Sequence, residues 1–208
     1  MLSIFIILIL GYFTGSIPTS IIAGKLLRGI DIREHGSGNP GATNVFRVLG
    51  WKAGVVVGLL DLAKGFIATV YISRIAFGEI PVSESLVQIL AGLAAVCGHV
   101  WTVFAGFRGG KGVLTAAGMF FGLAPGTTLV CIVVFCIAAF PTRYVSLGSI
   151  SAAVTLAVIM SVRKFIMHHE IEMPLLIFTL IISLLIIYTH RSNIKRLING
   201  TENKFTWK

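Results

Sequence analysis

Long apolar runs separated by short polar segments make up most of this chain. A helix needs about 20 apolar residues to cross about 30 Å of hydrocarbon at about 1.5 Å per residue. Five runs have this length, and they cover residues 1–24, 53–73, 85–107, 144–162 and 173–189. The run at 53–73 also contains two charged residues, Asp61 and Lys64. The pattern predicts at least five membrane-spanning helices.

A sixth run, residues 112–142, has 31 uncharged residues and is interrupted at Pro125-Gly126. If it crossed once, the two sides of the membrane would carry 9 and 7 Lys and Arg, leaving out Lys64. If it crossed twice, the numbers would be 13 and 3. Because basic residues concentrate on the cytoplasmic side, two crossings are favoured. We therefore predict seven transmembrane helices, with the N-terminus outside and the C-terminus in the cytoplasm.

Composition supports this interpretation. Of 208 residues 56% are hydrophobic and only 12% charged, against about 25% charged residues in average globular chains. The net charge of +9 lies in the gaps between apolar runs, which disfavours a nucleic-acid partner. The first run lacks a basic n-region and a cleavage site, which indicates a retained helix. The sequence thus predicts an all-α, polytopic integral membrane helix bundle with residues 1–208 as a single domain.

Three pairs of glycines are spaced four residues apart, a pattern that lets helices approach closely. They are Gly11 and Gly15, Gly54 and Gly58, and Gly118 and Gly122. We expect these pairs to mark helix contacts, without chemistry of their own.

Under this topology the polar, glycine-rich segments all fall on the cytoplasmic side. The first, residues 36–47 (GSGNPGATNVFR), is named here the Ser37 loop. Asn39 followed by Pro40 predicts the N-cap and first residue of a short helix ending near Gly50. Thr43 and Arg47 then share one helix face. A plain connector needs none of these features, so the segment indicates a binding function.

The second segment, residues 106–112 (GFRGGKG), is named the glycine loop. Successive glycines let backbone N–H groups converge on an anion, and a following helix N-terminus adds favourable partial charge. Lys111 would add a formal charge. The Walker A pattern is absent, because Ala105 and Gly112 stand where Gly and Ser or Thr are required.

The third segment follows the last apolar run, where His190 and Asn193 are three residues apart and so share a helix face. Arg143 and Ser146 lie at another cytoplasmic turn, where Arg143 either joins a phosphate site or anchors the turn. Asp61 and Lys64 predict an intramembrane ion pair, with substrate contact as the alternative. The acids are few and no His, Cys and Asp cluster has ligand spacing, so we expect no metal.

These segments resemble the three motifs of the bacterial acyl-phosphate:glycerol-3-phosphate acyltransferases. The matching stretches are residues 36–47, 98–112 (GHVWTVFAGFRGGKG) and 190–193 (HRSN). The resemblance extends to 15–18 (GSIP), 60–65 (LDLAKG) and 142–146 (TRYVS), and so covers essentially the whole chain.

The resemblance implies transfer of a fatty acyl group from acyl phosphate to the 1-hydroxyl of glycerol 3-phosphate, giving lysophosphatidic acid at the cytoplasmic face of the bacterial inner membrane. It implies no cofactor, and as partners only the two substrates and membrane lipid. The implied catalytic residues are Ser37, His190 and Asn193. The implied substrate-binding residues are Asn39, Thr43, Asn44, Arg47, Gly109, Gly110, Lys111, Gly112, Arg143 and Ser146.

Two alternatives stay open at this point. The basic loops, the glycine-broken helices and the Asp61 and Lys64 pair would also suit a transporter or channel for a phosphorylated anion. Against it, the chain shows no inverted repeat, and its polar residues gather on one side of the membrane. A structural subunit of a lipid-synthesis complex is a third possibility, and it predicts that none of these polar residues matters for activity.

Overall fold

The computed structural model describes residues 1–78 and 80–205, and this part of the chain is built from α-helices, short 3₁₀ turns and loops. Ten α-helices occur in it, numbered α1 to α10 in chain order. They are Leu2–Ser16, Thr19–Arg28, Ala42–Leu49, Trp51–Val70, Glu84–Val100, Val113–Leu123, Pro125–Thr142, Val145–Phe165, Met173–Thr189 and Arg191–Ile198. The chain forms two compact units, residues 1–123 and 124–205.

The first apolar run forms two consecutive helices, which together make one candidate membrane span, Leu2–Arg28. Helix α1 ends at Ser16 and α2 begins at Thr19. Pro18 causes the break, because proline has no N–H and disfavours helical geometry in the residue before it. Helix α2 ends at Arg28 and is followed by Gly29, whose φ of +66° suits glycine and whose N–H caps the helix end.

In the first unit, α1 packs on α5, α3 on α4, and α4 on α6. Glycines allow these close contacts. A Cβ on Gly15 would overlap the backbone of Ala95, and one on Gly118 would overlap the Leu62 carbonyl. A Cβ on Gly54 would lie 2.5 Å from Cβ of Phe46. The predicted packing role of the paired glycines is confirmed at these contacts.

The long run at 112–142 forms two helices, as predicted. Helix α6 ends at Leu123, and Pro125 is the first residue of α7. With 11 residues, α6 is only about 17 Å long, too short to cross the hydrocarbon alone. Helix α7, with 18 residues, is long enough.

In the second unit, α7 packs on α8 and α8 on α9. Helix α10 then leaves α9 at a bend of 56° centred on His190. The bend turns the basic end of the chain away from the apolar helix axis. Residues 190–193 therefore lie at the point where the chain changes direction.

Among the described residues, five helical segments are long and apolar enough to span a membrane, or six if the bent pair α9 and α10 counts as one. Large apolar side chains point outward, for example Phe5 (63% exposed), Leu59 (62%) and Leu184 (66%). Such surfaces are unusual in soluble monomers and fit contact with lipid. The seventh crossing and the orientation of the termini stay predictions.

Candidate active site

Asn44 shapes the Ser37 loop from within. Its side chain is 2% exposed, and its Oδ1 accepts a hydrogen bond from Ser37 N at 2.8 Å. Its Nδ2 donates to the carbonyls of Ile32 at 3.0 Å and His35 at 2.9 Å. Three backbone positions are therefore fixed by one amide. The side chain acts inside the loop, which makes it a residue that shapes the site.

The helix after this loop starts later than the sequence predicted. Gly41 is the N-cap and Ala42 the first residue of α3, so the assignment of Asn39 as N-cap and Pro40 as first helical residue is wrong. The carbonyl of Pro40 instead accepts a hydrogen bond from Ser20 Oγ at 2.6 Å, which ties the loop to α2. The predicted end near Gly50 is confirmed.

Four candidate residues of this loop remain accessible in the first unit. Ser37 is exposed, and Asn39, Thr43 and Arg47 are half-buried. Thr43 and Arg47 both lie in α3, four residues apart as predicted, so they share a face. This segment thus presents a hydroxyl, an amide and a guanidinium at one end of the first unit.

Each glycine of the glycine loop occupies a position where a larger residue would be unfavourable. Gly106 and Gly112 adopt φ values of +65° and +79°, which other residues rarely adopt. A Cβ on Gly109 would overlap the His99 carbonyl, and one on Gly110 would overlap Nε2 of the same histidine. The loop therefore lies directly on the end of α5.

The N–H groups of Gly109 and Gly110 are already engaged. They donate to the carbonyls of Val100 and His99, each at 3.1 Å. An anion-binding role of this segment would then involve Lys111, Gly112 and the first turn of α6, whose N–H groups have no partner inside the helix. Lys111 is half-buried and Gly112 is buried.

A buried charged network lies under this loop. Lys64 Nζ donates to Asp61 Oδ1 at 2.6 Å, to Thr19 Oγ1 at 3.0 Å and to the Ile17 carbonyl at 2.7 Å. Thr19 Oγ1 donates to the same Asp61 oxygen at 2.6 Å, and His99 Nδ1 lies 3.7 Å from it. An ammonium has three N–H groups, so all those of Lys64 are used. The pair is structural in this conformation.

The network and the loops line one small cavity. Its lining includes Lys64, His99, Pro40, Gly109 and Gly110. The Ser37 loop, the glycine loop and the buried ion pair thus meet at one place in the first unit.

In the second unit, two of the predicted site residues, Ser146 and Asn193, bind the carboxylate of Glu202. Glu202 Oε1 accepts from Ser146 Oγ at 2.7 Å and from Asn193 Nδ2 at 2.6 Å, and its Oε2 accepts from Arg196 Nε at 2.6 Å. Burial alone would raise the pKa of Glu202, but these three hydrogen bonds outweigh it and the pKa is lowered. The carboxylate is therefore ionised at neutral pH.

Sequence reasoning missed Glu202. A signal was present, because it is the one acidic residue after Glu172, in a segment otherwise rich in basic residues. Its partners, Ser146 and Asn193, were both candidates, and the structure brings them together on the same oxygen atom.

His190 is buried at the bend between α9 and α10. Its Nδ1 lies 2.8 Å from the Ile186 carbonyl. A carbonyl only accepts hydrogen bonds, so Nδ1 carries a proton, and whenever the ring is neutral its lone pair is on Nε2. This tautomer leaves Nε2 as the basic nitrogen. Arg143, by contrast, is an exposed residue at the end of α7 with a φ of +61°.

The described residues contain no group of three or more His, Cys, Asp or Glu that could hold a metal ion. The fold and its polar ends define a class: an all-helical protein built for a membrane, with hydroxyl, amide and cationic groups at the ends of its helices.

Comparison with known proteins identifies the family. The model of the glycerol-3-phosphate acyltransferase family matches residues 5–200. A glycerol-3-phosphate acyltransferase of Chlorobaculum tepidum is 51% identical over 100% of this chain and 98% of its own length. The homologue of Chlorobium phaeobacteroides strain BS1 is 49% identical over 98% of this chain and 97% of its own.

Two crystal structures of PlsY (YgiH), an integral membrane glycerol 3-phosphate acyltransferase, are also similar. Both are 38% identical and cover 98% of this chain and 96% of their own. The glycerol 3-phosphate form gives a TM-score of 0.85 and the lysophosphatidic acid form 0.82. This chain belongs to the glycerol-3-phosphate acyltransferase family, and it is a membrane-embedded enzyme.

Proposed function

We propose that this enzyme transfers a fatty acyl group from acyl phosphate to the 1-hydroxyl of sn-glycerol 3-phosphate, forming lysophosphatidic acid and phosphate. The observation that carries the proposal is the set of three motifs, at residues 36–47, 98–112 and 190–193, which resemble the acyl-phosphate-dependent class. The PlsY structures in glycerol 3-phosphate and lysophosphatidic acid forms support the acceptor and product.

The choice of donor is also supported by a missing pattern. The other, soluble or peripheral, class of glycerol-phosphate acyltransferases carries His-x4-Asp, and none of the five histidines here has Asp five residues later. An acyl phosphate is a mixed anhydride with a stable leaving group. The enzyme mainly has to orient two anions and stabilise the developing oxyanion.

In the reaction, the acceptor hydroxyl oxygen forms a bond to the acyl carbon while the bond from that carbon to the phosphate oxygen breaks. Arg47, Lys111 and the first turn of α6 would bind phosphate groups. Ser37 and Asn193 would donate hydrogen bonds to the substrates or the oxyanion.

The hydroxyl proton has two candidate acceptors, the departing phosphate and Nε2 of His190. The Nδ1 contact with the Ile186 carbonyl supports the second, because it leaves the lone pair on Nε2. A covalent acyl-serine at Ser37 has less support, since no His and Asp flank it in the sequence.

The remaining polar candidates have supporting roles in this proposal. Asn39, Thr43 and Arg143 would contact substrate, whereas Asn44 and Ser146 would position their neighbours. Gly109 and Gly110 would let the loop lie close to α5, and Gly112 would allow the turn into α6.

We further propose seven crossings, with the N-terminus outside and the active site facing the cytoplasm of a bacterial inner membrane. The 13 basic residues on the predicted inner side, against 3 on the outer side, support this orientation. We also treat the chain as one acyltransferase domain, because the family model extends across both compact units.

The reaction is tested with purified enzyme, palmitoyl phosphate and glycerol 3-phosphate, with lysophosphatidic acid measured by mass spectrometry. Product should form with palmitoyl phosphate and not with palmitoyl-CoA or palmitoyl-acyl carrier protein. Activity with palmitoyl-CoA and none with palmitoyl phosphate would refute the proposed donor.

The role of Lys111 is tested by Lys111→Ala, with Lys52→Ala at the exposed start of α4 as the matched control. Loss of a charge-assisted bond to phosphate should raise the KM for glycerol 3-phosphate about tenfold or more. The control should leave it unchanged. An unaltered KM in Lys111→Ala would remove this residue from the acceptor site.

A further inference from the structure

One guanidinium connects the two cytoplasmic loops of the first unit. Arg33 Nη1 donates to the Ala105 carbonyl at 3.1 Å, across 72 positions of sequence. Ala105 is buried and immediately precedes the glycine loop, whereas Arg33 precedes the Ser37 loop by three residues. The contact therefore joins the two loops where each begins.

Asp31 fixes the direction of this guanidinium. Arg33 Nε lies 3.1 and 3.2 Å from the two Asp31 carboxylate oxygens, and Nη2 lies 2.7 Å from Oδ2. Asp31 also accepts a hydrogen bond from Arg33 N at 2.9 Å, which starts a 3₁₀ turn. The hydrogen bonds from Arg33 lower the pKa of Asp31 to about 2, so the pair stays charged at any ordinary assay pH.

The segment around Arg33 is also hydrogen-bonded to Asn44 of α3. Asn44 donates to the carbonyls of Ile32 and His35, the residues on either side of Arg33 and Glu34, and accepts from Ser37 N. A continuous set of hydrogen bonds thus leads from α3 through the start of the Ser37 loop to Arg33. From there it continues to the start of the glycine loop.

At the glycine loop this connection meets an unusual backbone. Gly106 and Phe107, the two residues after Ala105, both have positive φ, at +65° and +60°. For a bulky residue such as Phe107 this conformation is unfavourable and persists only where the surroundings impose it. A fixed carbonyl at position 105 is one such constraint.

We propose that Arg33, oriented by Asp31, is a positioning residue that sets the spacing between the Ser37 loop and the glycine loop. This inference rests on the proposed function, in which Arg47 and Lys111 of these loops bind phosphate groups. In this proposal neither Arg33 nor Asp31 contacts substrate. The pair is partly solvent-accessible, at 34% for Arg33 and 15% for Asp31, and such pairs contribute little to stability, so we expect its main effect on geometry.

Lysine cannot replace arginine in this role. A guanidinium can bind a carboxylate through two nitrogens and still direct a third donor at a carbonyl, whereas an ammonium is a single point charge. Arg33→Lys therefore keeps the charge and removes the bridge. Arg28, exposed at the end of α2, offers the matched control for the same substitution.

The kinetic test compares Arg33→Lys, Arg33→Gln, the double variant Asp31→Asn/Arg33→Gln, and Arg28→Lys. Both Arg33 variants should raise the KM for glycerol 3-phosphate about fivefold to tenfold, the size of one ordinary net hydrogen bond, with a smaller change in kcat and an unchanged melting temperature. Arg28→Lys should resemble wild type. The double variant Asp31→Asn/Arg33→Gln should be no worse than Arg33→Gln alone. A wild-type KM in Arg33→Lys would overturn the inference, as would a loss of activity that only follows the melting temperature.

A second measurement does not depend on acyl transfer. Spin labels at Glu34→Cys and Arg108→Cys, in a background with Cys97, Cys131 and Cys136 replaced by Ala, report the distance between the loops. The distribution should be narrow in the parent, broad with Arg33→Gln and narrow with Arg28→Gln. An unchanged distribution in Arg33→Gln would refute the positioning role. If the parent makes no lysophosphatidic acid but the distribution broadens, only the proposed reaction fails.

Discussion

At the scale of single residues, several polar side chains of the candidate site bind protein groups. Asn44 is saturated by backbone partners, and Ser146 and Asn193 converge on Glu202. Asn44 therefore shapes the Ser37 loop in the first unit, whereas Ser146 and Asn193 hold the Glu202 carboxylate in the second. Substitution of a residue that holds the protein's own groups should lower stability and activity together. Substitution of a substrate-binding residue should lower activity alone.

Asn44→Asp tests this at the Ser37 loop. The carboxylate retains an acceptor for Ser37 N but places an oxygen against the carbonyls of Ile32 and His35, now without donors. Each lost donor should cost about 1–3 kcal/mol in this buried place. We expect a lower melting temperature and a large loss of kcat/KM, measured in detergent. Asn199→Asp, at an exposed position, is the control; equal behaviour of the two variants would contradict the expectation.

Glu202 gives a pH-dependent prediction. Its folded pKa is lowered, so its contribution to stability is complete above the usual value of 4.5 and is lost as pH falls through the lower folded value. Glu202→Gln should lower the melting temperature at pH 7, and the difference from wild type should shrink below about pH 4.5. Glu170→Gln, exposed after α8, should change little. A difference that is independent of pH would argue against an ionised Glu202.

At the scale of elements, hydrophobic pattern and helix-breaking residues accounted for most boundaries. Pro125 was predicted as a break and begins α7, whereas Pro18 was overlooked because charge alone defined the first run. The cap of α3 was misplaced by two residues, since Asn39 fits an N-cap locally but Pro40 is bonded to Ser20. Contacts distant in sequence, such as that bond, leave no local pattern.

The packing of α4 on α6 gives a prediction at this scale. A Cβ on Gly65 would overlap the Thr115 carbonyl, a backbone atom that cannot rotate away. Gly65→Ala should therefore destabilise the enzyme by about 1–3 kcal/mol, seen as a lower melting temperature. Gly126→Ala is the control, because a Cβ there meets open space and alanine favours a helix. Equal melting temperatures would mean that α4 and α6 do not pack this closely.

For the whole molecule, the apolar runs were sufficient to predict an all-helical membrane protein, and the motifs were sufficient to predict its family. The motifs also located the candidate loops. The sequence predicted the ion pair of Asp61 and Lys64, but it did not reveal Glu202 or the further bonds of that pair to Thr19 and Ile17, because hydrogen bonds between distant segments depend on the folded backbone. The count of Lys and Arg on each side of the membrane predicts a property of the whole chain, namely its orientation in the membrane.

Orientation is tested by cysteine accessibility in a cysteine-free enzyme in intact cells. With seven crossings, Gly126→Cys should react with a membrane-impermeant maleimide from outside. Lys204→Cys should react only after the membrane is opened. Labelling of position 126 only from the inside would show that α6 returns to the side from which it entered, and would remove one crossing.

The complete set of bonds around Lys64 has a consequence for chemical footprinting. An ammonium whose three protons are all donated, on a side chain 6% exposed, is shielded from reagents that acylate amines. Surface lysines such as Lys52 and Lys204 should be modified quickly, and Lys64 only after the bundle opens. Mass spectrometry of that one peptide would thus report whether a detergent preparation still contains the native fold.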